Sequence, residues 1–157
     1  MKIGLLSDTH DNLPHIEKAV KFFNQQKVDF VFHAGDFVAP FSVVRLKALQ
    51  SDWRGVFGNN DGERTGLAGI SQGKITEAPL RLKLSGITIT IVHDLKQFDL
   101  KRESSRLVIC GHTHKPEIIE HQHQLVINPG ECGGWLTGES TVSIVELSTL
   151  RAELFKI

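Results

Sequence analysis

The chain has no tyrosine, only two cysteines, no excess charge of either sign and no long apolar run. Each absence excludes something. Lys plus Arg and Asp plus Glu stand at 18 each, for a formal net charge of zero. That balance removes the field by which proteins grip long nucleic acids or anionic membranes. No apolar stretch approaches the ~18 residues that a bilayer span requires. The opening Met1-Lys2-Ile3-Gly4-Leu5-Leu6-Ser7-Asp8 turns polar too early for a secretory signal. Cys110 and Cys132 are too few for a disulfide framework and fit free thiols in a reducing cytosol. The expectation is a cytoplasmic protein with no membrane partner, and the charge balance argues against nucleic acid. A length of 157 residues suits one domain spanning 1–157, large enough to bury a core without a staple. Histidine is what the chain has instead: eight residues of the commonest metal ligand.

The first half alternates strand and helix. Lys2–Leu6 reads as a strand, and Asn12 as the N-cap of a helix from about Leu13, with Pro14 in its first turn. Ile16, Ala19, Val20 and Phe23 fall on one helical stripe. Phe30–Ala34 is the second strand, Pro40 opens a second helix through about Gln50, and Trp53–Phe57 is the third strand. This order predicts a parallel sheet with right-handed crossovers. The second half predicts a hairpin of Leu80–Leu84 and Ile87–Val92 and a weak helix over Leu95–Ser104. Strands follow at Leu107–Cys110, Glu117–Glu120 and Leu125–Ile127, then a last hairpin of Thr141–Leu147 and Arg151–Lys156. Gly62–Ile75 is glycine-rich, and no element is predicted there; it reads as a candidate mobile loop. The class is α/β with added antiparallel hairpins.

The strong apolar runs end alike. They run into Asp8-Thr9-His10, Gly35-Asp36, Gly58-Asn59-Asn60-Asp61, His93-Asp94 and Gly111-His112-Thr113-His114. Ligands of open α/β sheets bind beyond the carboxyl ends of strands. Asp8-x-His10 and His112-x-His114 point their side chains to one side if the backbone stays extended. One such motif alone is an ordinary turn residue beside a surface histidine; five in order are not. So many carboxylates and imidazoles without a cation would carry an unpaired-charge cost. Asp8, His10, Asp36, Asn59, His93, His112 and His114 offer oxygen or nitrogen and no thiolate. One six-coordinate ion cannot use all seven and also hold substrate, whereas two ions ~3.5–4 Å apart sharing a carboxylate can. Mixed imidazole and carboxylate ligation suits manganese, iron, zinc, cobalt or nickel over calcium or magnesium.

The ordered set Asp8-x-His10, Gly35-Asp36, Gly58-Asn59-x-Asp61, His93 and Gly111-His112-x-His114 resembles the calcineurin-like metallophosphoesterases. The Asn59-x-Asp61 form, the length and Asn128-Pro129-Gly130 are similar to the small YfcE-type bacterial and archaeal phosphodiesterases. The resemblance implies an αββα fold, a two-sheet β-sandwich of mixed sheets flanked by helices. It implies two divalent transition-metal ions, manganese first, with nickel, zinc, iron or cobalt as alternatives. Asp8, His10, Asp36 and His114 would hold one ion. Asp36, Asn59, His93 and His112 would hold the other, with Asp36 bridging. Asp36, Asn59 and His93 are then the candidate catalytic residues. The implied reaction is attack on a small phosphodiester by a metal-bridging hydroxide, with no covalent intermediate. A homo-oligomer is compatible with all of this.

Three positions depart from the family's pattern. Asn60 stands where larger relatives have a histidine able to protonate the leaving group, and an amide cannot do so near neutral pH. Asp94 replaces a frequent glycine, and Glu131 a common serine. Outside the motifs, His33 reads as a packed or supporting histidine, and His121 and His123 as solvated turn residues. Cys110 and Cys132 read as buried and structural. Two other functions compete with the enzyme: a non-catalytic scaffold, since a retromer subunit resembles this fold after losing ligand histidines, and a nuclease. All seven ligand positions are kept, which favours an enzyme over a scaffold. Zero net charge disfavours a nuclease.

Overall fold

A computed structural model describes residues 1–157. Strand β1 (Lys2–Leu6) alternates, sending Ile3 and Leu5 into one apolar layer and Leu6 into another. Helix α1 (Leu13–Gln26) starts at Asn12, whose side chain accepts from the His15 N–H, and stops at Lys27 in the left-handed conformation. Its buried residues are the expected Ile16, Ala19, Val20 and Phe23. A Cβ on Gly4 would sit 2.7 Å from the Phe23 ring, so glycine is what lets α1 lie flat on β1. Strands β2 (Phe30–His33), β3 (Asp52–Val56) and β4 (Ile75–Thr76) continue from β1 in parallel.

The second sheet begins with the hairpin β5 (Leu80–Leu84) and β6 (Ile87–Ile91). Strand β7 (Leu107–Ile109) lies parallel to β6 and to β9 (Gln124–Asn128), and β8 (Glu117–His121) closes the edge antiparallel to β9. The last strands join the first sheet, β10 (Thr141–Glu146) antiparallel to β1 and β11 (Arg151–Lys156) antiparallel to β10. The strand orders are β11-β10-β1-β2-β3-β4 and β5-β6-β7-β9-β8. Both sheets are therefore mixed, as the resemblance implies.

Ile3, Leu5, Phe32 and Val56 of the first sheet meet Ile89, Ile91, Ile109 and Ile127 of the second in one buried layer. Leu6, Val31 and Trp53 on the other face of the first sheet pack with the α1 stripe. Two strictly apolar faces on one sheet explain why its central strands read as continuous apolar runs. No helix is long and apolar enough to cross a membrane.

Three expectations are corrected. The helix expected from Pro40 to about Gln50 is one turn, α2 (Pro40–Val43), followed by a 3₁₀ turn over Val44–Ala48. Adjacent β-branched Val43 and Val44, and an Ala39 with no capping side chain, leave it little intrinsic support. The weak helix over Leu95–Ser104 is two 3₁₀ turns, Leu95–Gln97 and Leu100–Arg102. Leu95, Phe98 and Leu100 pack on Val92, Val108 and Val126, a spacing no single α-helical face provides. Gly62–Ile75 holds helix α3 (Arg64–Ile70) and reaches the start of β4. Burial of Leu67, with Ala68 and Ile70 against the same core, overrides the helix penalty of Gly66 and Gly69.

Candidate metal centre

Strands β1, β2 and β3 of one sheet and β6 and β7 of the other run parallel within their sheets and end at one edge of the sandwich. The polar groups after them meet there. Backbone bonds tie these strand ends together: Asp8 N–H to Gly35 O at 3.0 Å, His10 N–H to Asp36 O at 3.1 Å, Gly111 N–H to His93 O at 2.9 Å. The His112 N–H crosses between the sheets to Asp8 Oδ2 at 3.1 Å.

Donor atoms of Asp8, His10 and His114 lie within 4.8 Å of one another, as do those of Asp8, Asp36 and His93. Asp36 Oδ2 sits 3.6 Å from His10 Nε2 and 3.4 Å from His93 Nε2, between the two groups. His10 Nε2 and His114 Nε2 approach to 3.3 Å with stacked rings. Asn59 Oδ1 lies 2.9 Å from His93 Nε2 and 2.8 Å from His112 Nδ1. All seven residues expected from the sequence thus fall in one connected cluster.

The backbone is not extended through the motifs, which corrects the geometric argument for Asp-x-His and His-x-His. Asp8 (φ 54°), His10 (φ 41°), Asp36 (φ 61°), His112 (φ 69°) and His114 (φ 62°) are all left-handed. None is glycine, so each carries a conformational cost that the surrounding bonds must offset. The side chains converge because the chain turns sharply after each strand, not because it alternates.

The charges explain why this arrangement wants a cation. Asp8 and Asp36 are buried, at 0% and 1% exposure. Burial pushes the Asp8 carboxyl up, toward the neutral acid. Burial also opposes the Asp36 charge, but His93 beside it and the Asn60 N–H groups hold its carboxyl far below the usual range. Burial lowers the His93 imidazole, and the Asp36 carboxylate, the Ala34 carbonyl and Asp8 outweigh it, leaving a raised pKa. His93 Nδ1–H donates to Ala34 O at 2.8 Å, so Nε2 is the nitrogen turned to Asp36 and Asn59. Lone-pair oxygens face imidazole nitrogens throughout, an arrangement stable only with extra protons or a cation between them. In addition, His114 Nδ1 is buried and lacks an aligned hydrogen-bond partner, although Glu131 Oε1 is 3.2 Å away. The donor set fits divalent transition metals.

Other polar residues hold this set in place, and sequence reasoning had given them no such role. Asp61 accepts from three backbone N–H groups, those of Gly58 (2.7 Å), Asp36 (3.0 Å) and Val38 (2.7 Å). It staples the end of β2 to the end of β3. Its place in the Asn59-x-Asp61 motif was the available signal. Glu131 is buried and accepts from the N–H groups of Trp135, Leu136 and Thr137 and from the Thr137 hydroxyl while facing His114. Its departure from the common serine marks the position, but its role stays hidden in the sequence because its partner in the site lies 17 residues earlier in the chain. Asn60 donates its backbone and side-chain N–H groups to Asp36 at 2.8 and 2.7 Å.

Of the other histidines, His33 and His123 fall where expected and His121 does not. His33 is fully buried, stacks on Phe37 and bonds Thr9 Oγ1 at 3.0 Å. His123 is exposed in the turn before β9, but His121 is the last residue of β8, half-buried opposite Gln124, because the strand pairing extends one residue further than the polar turn suggests. Cys110 and Cys132 are buried, which pushes both thiols up to about 12. Beside Asn59 and His93 opens a cavity of about 300 Å³. A larger groove of about 600 Å³, lined by α1 and the following 3₁₀ turn, touches none of the clustered residues.

Comparison with known proteins gives consistent results. A model of the calcineurin-like phosphoesterase superfamily domain matches residues 1–150. A phosphodiesterase of Methanocaldococcus jannaschii is 38% identical over 154 residues, covering 93% of each chain. A solved structure described as a novel archaeal phosphodiesterase superposes with a TM-score of 0.92 at 36% identity over the whole of both chains. The YfcE phosphoesterase of Escherichia coli shares the fold, with a TM-score of 0.75 at 19% identity over 100% of this chain and 98% of the other.

Proposed function

The chain belongs to the calcineurin-like phosphoesterase superfamily and is a metal-dependent phosphoesterase; on that premise we propose that it hydrolyses small phosphodiesters with two divalent cations. The observation that carries this reading is the convergence of seven oxygen and nitrogen donors from five strand ends of two sheets. Asp8, His10, Asp36 and His114 would hold one ion, and Asp36, Asn59, His93 and His112 the other. When bound, two such ions lower the pKa of water and offset the charge of the phosphoryl oxygens. Mixed imidazole and carboxylate donors suit manganese, nickel, zinc, iron or cobalt, and the family resemblance puts manganese first. We read residues 1–157 as one such domain. Two buried free thiols support a reducing compartment, the cytoplasm.

The chain's own residues define the rest of the chemistry. The hydroxyls and thiols near the site are unfit to attack phosphorus. Ser7 and Thr9 are buried, Thr9 is engaged by His33 and the Asp36 carbonyl, and both thiols are held protonated by burial. Water is therefore taken as the nucleophile, with no covalent intermediate, as the family resemblance implies. Asp36 is oriented by Asn60 and His93 by the Ala34 carbonyl, while the Glu131 carboxylate faces His114 Nδ1 at 3.2 Å.

Protonation of the leaving group is the weak step. The Asn60 amide is spent on Asp36. The Asp61 carboxylate is spent on three backbone N–H groups. Burial works against the Asp94 charge, but the Lys96 N–H, Gln97 and the neighbouring histidines hold its carboxyl ionised. General acid help is worth ~10²–10⁴-fold in rate. Diesters whose leaving groups depart as stable aryl oxides should be turned over far faster than alkyl diesters.

The test is a screen of mono- and diesters against protein stripped of metal and reloaded with Mn, Ni, Zn, Co or Mg. The expected result is two ions per chain by elemental analysis and a steep fall in diester rate as leaving-group pKa rises. One ion per chain at full activity, or a flat dependence with chemistry rate-limiting, would contradict the reading.

A further inference from the structure

We propose that the cavity beside Asn59 and His93 binds one ester group of the substrate, and that this group is flat, aromatic and uncharged, an aryl ring or a nucleobase. The assignment rests on the phosphodiesterase reading for its phosphate end and on the cavity's own walls for the rest. The cavity is continuous with the candidate metal centre, because Asn59 and His93 line both. A phosphate bound at that centre would lie beside the cavity. Its volume of about 300 Å³ is at the lower end of the range for small-molecule clefts. That is room for one ring system, not for a polymer.

The walls select by shape and charge. Phe57, Pro79, Val92 and Phe98 supply apolar surface, two of them as aromatic rings. The Arg64 guanidinium lies over the Phe57 ring, 5.2 Å from its centroid, and extends that flat wall. Flat groups stack on such surfaces more favourably than branched aliphatic ones of equal area.

The charges in the wall are already matched. Arg64 Nη1 meets both Glu77 oxygens at 2.8 Å, so the guanidinium charge is already paired with a carboxylate. Asp94 accepts from the Lys96 N–H and from Gln97 at 2.9 Å each, has His112 Nε2 at 4.0 Å, and keeps a carboxylate on the cavity wall. An anionic ester group is repelled there, and a neutral ring is not. The cavity thus favours diesters of aromatic alcohols or nucleosides over substrates carrying a further phosphate.

Calorimetry on the manganese-loaded protein tests this with three monoanions that differ in one ester group: methyl, phenyl and thymidine 5′-methylphosphonate. The expected result is at least one aromatic ester binding roughly tenfold tighter than the methyl ester, the scale of one aromatic contact. Phe98→Ala, which removes a wall, and Ala78→Phe, which fills the cavity from an exposed position, should each bring that ratio close to one. Tighter binding of the phenyl ester assigns the site to aryl groups; tighter binding of the thymidine ester assigns it to nucleosides. Equal binding of all three, or a preference that both variants leave intact, overturns the assignment while diester hydrolysis can still stand. An aromatic preference lost in both variants, in a protein that hydrolyses no diester, would keep the cavity and reject the phosphodiesterase reading.

Discussion

One oxygen of Asp36 lies between His10 Nε2 and His93 Nε2, and Asn60 fixes that carboxylate from behind with two N–H groups. Asn59 contributes a neutral oxygen to one side only. Asp36→Asn removes a charge felt by both ion positions, so it should reduce diesterase activity well beyond Asn59→Ala. Equal residual activities in two folded variants would contradict the roles given to them. Glu131 acts one step further out. Its carboxylate faces His114 Nδ1, which leaves Nε2 turned toward Asp8 and His10. Loss of such an outer partner typically weakens metal binding ~10–100-fold. Glu131→Gln should show that loss in a metal competition titration, with thermal stability changed far less than by Glu131→Ala. The alanine variant also strips the loop N–H groups of Trp135, Leu136 and Thr137.

The elements contribute their ends. Strands β2 and β3 present Asp36 and Asn59 at a usable separation only because Asp61 bonds the backbone on both sides. Asp61→Ala leaves three N–H groups without their acceptor, each worth ~1–3 kcal/mol where water cannot reach. The expected loss is about 3 kcal/mol or more in denaturant unfolding, with metal affinity falling as well. An unchanged unfolding midpoint would remove the staple role. Gly58 belongs to the same device, since a Cβ there would collide with the Asp36 carboxylate and backbone. The helical segments show the opposite dependence. Pro40–Ala48 and Leu95–Arg102 take their form from the core they cover, and their own propensity is too weak to make one continuous helix.

For the whole molecule, metal replaces protons. In the metal-free protein Asp36 is depressed below 3.8 and His93 is raised above 6.5. Asp36 contributes stability above 3.8 that is lost as pH falls through its folded value. His93 contributes stability that is complete below 6.5 and lost as pH rises through its folded value. His33, buried and held well below 6.5, works against His93 on the acid side but is neutral in both states above that pH. The buried thiols begin to matter only near their ordinary value of 9.0. From about pH 6.5 the His93 loss acts in the same direction as that of the buried Asp8 carboxyl, raised from 3.8, and near 8.0 the Met1 amine paired with Glu146 joins them. The metal-free protein should become less stable to denaturant as pH rises from about 6.5 toward 8.0. The metal-loaded protein should not, because the ion takes the place of the His93 and Asp8 protons. A parallel decline in both forms would assign the effect to another group.

Much of this was legible in the chain itself. Apolar runs followed by Asp, His and Asn gave the strands, the α1 stripe and the seven ligand candidates, because side-chain period and donor chemistry are local properties. A zero net charge and scattered apolar runs limited the partners in the same way. What the sequence could not determine is how those residues meet. The left-handed turns at Asp8, His10, Asp36, His112 and His114 are each unfavourable alone, and only cross-strand bonds between distant segments hold them. The helix over Arg64–Ile70 exists because Leu67 found a core to fill. The roles of Glu131 and Asp61, and the cavity beside His93, likewise depend on residues far apart in the chain. Tertiary structure decided them, since long-range contacts alone can offset local conformational cost.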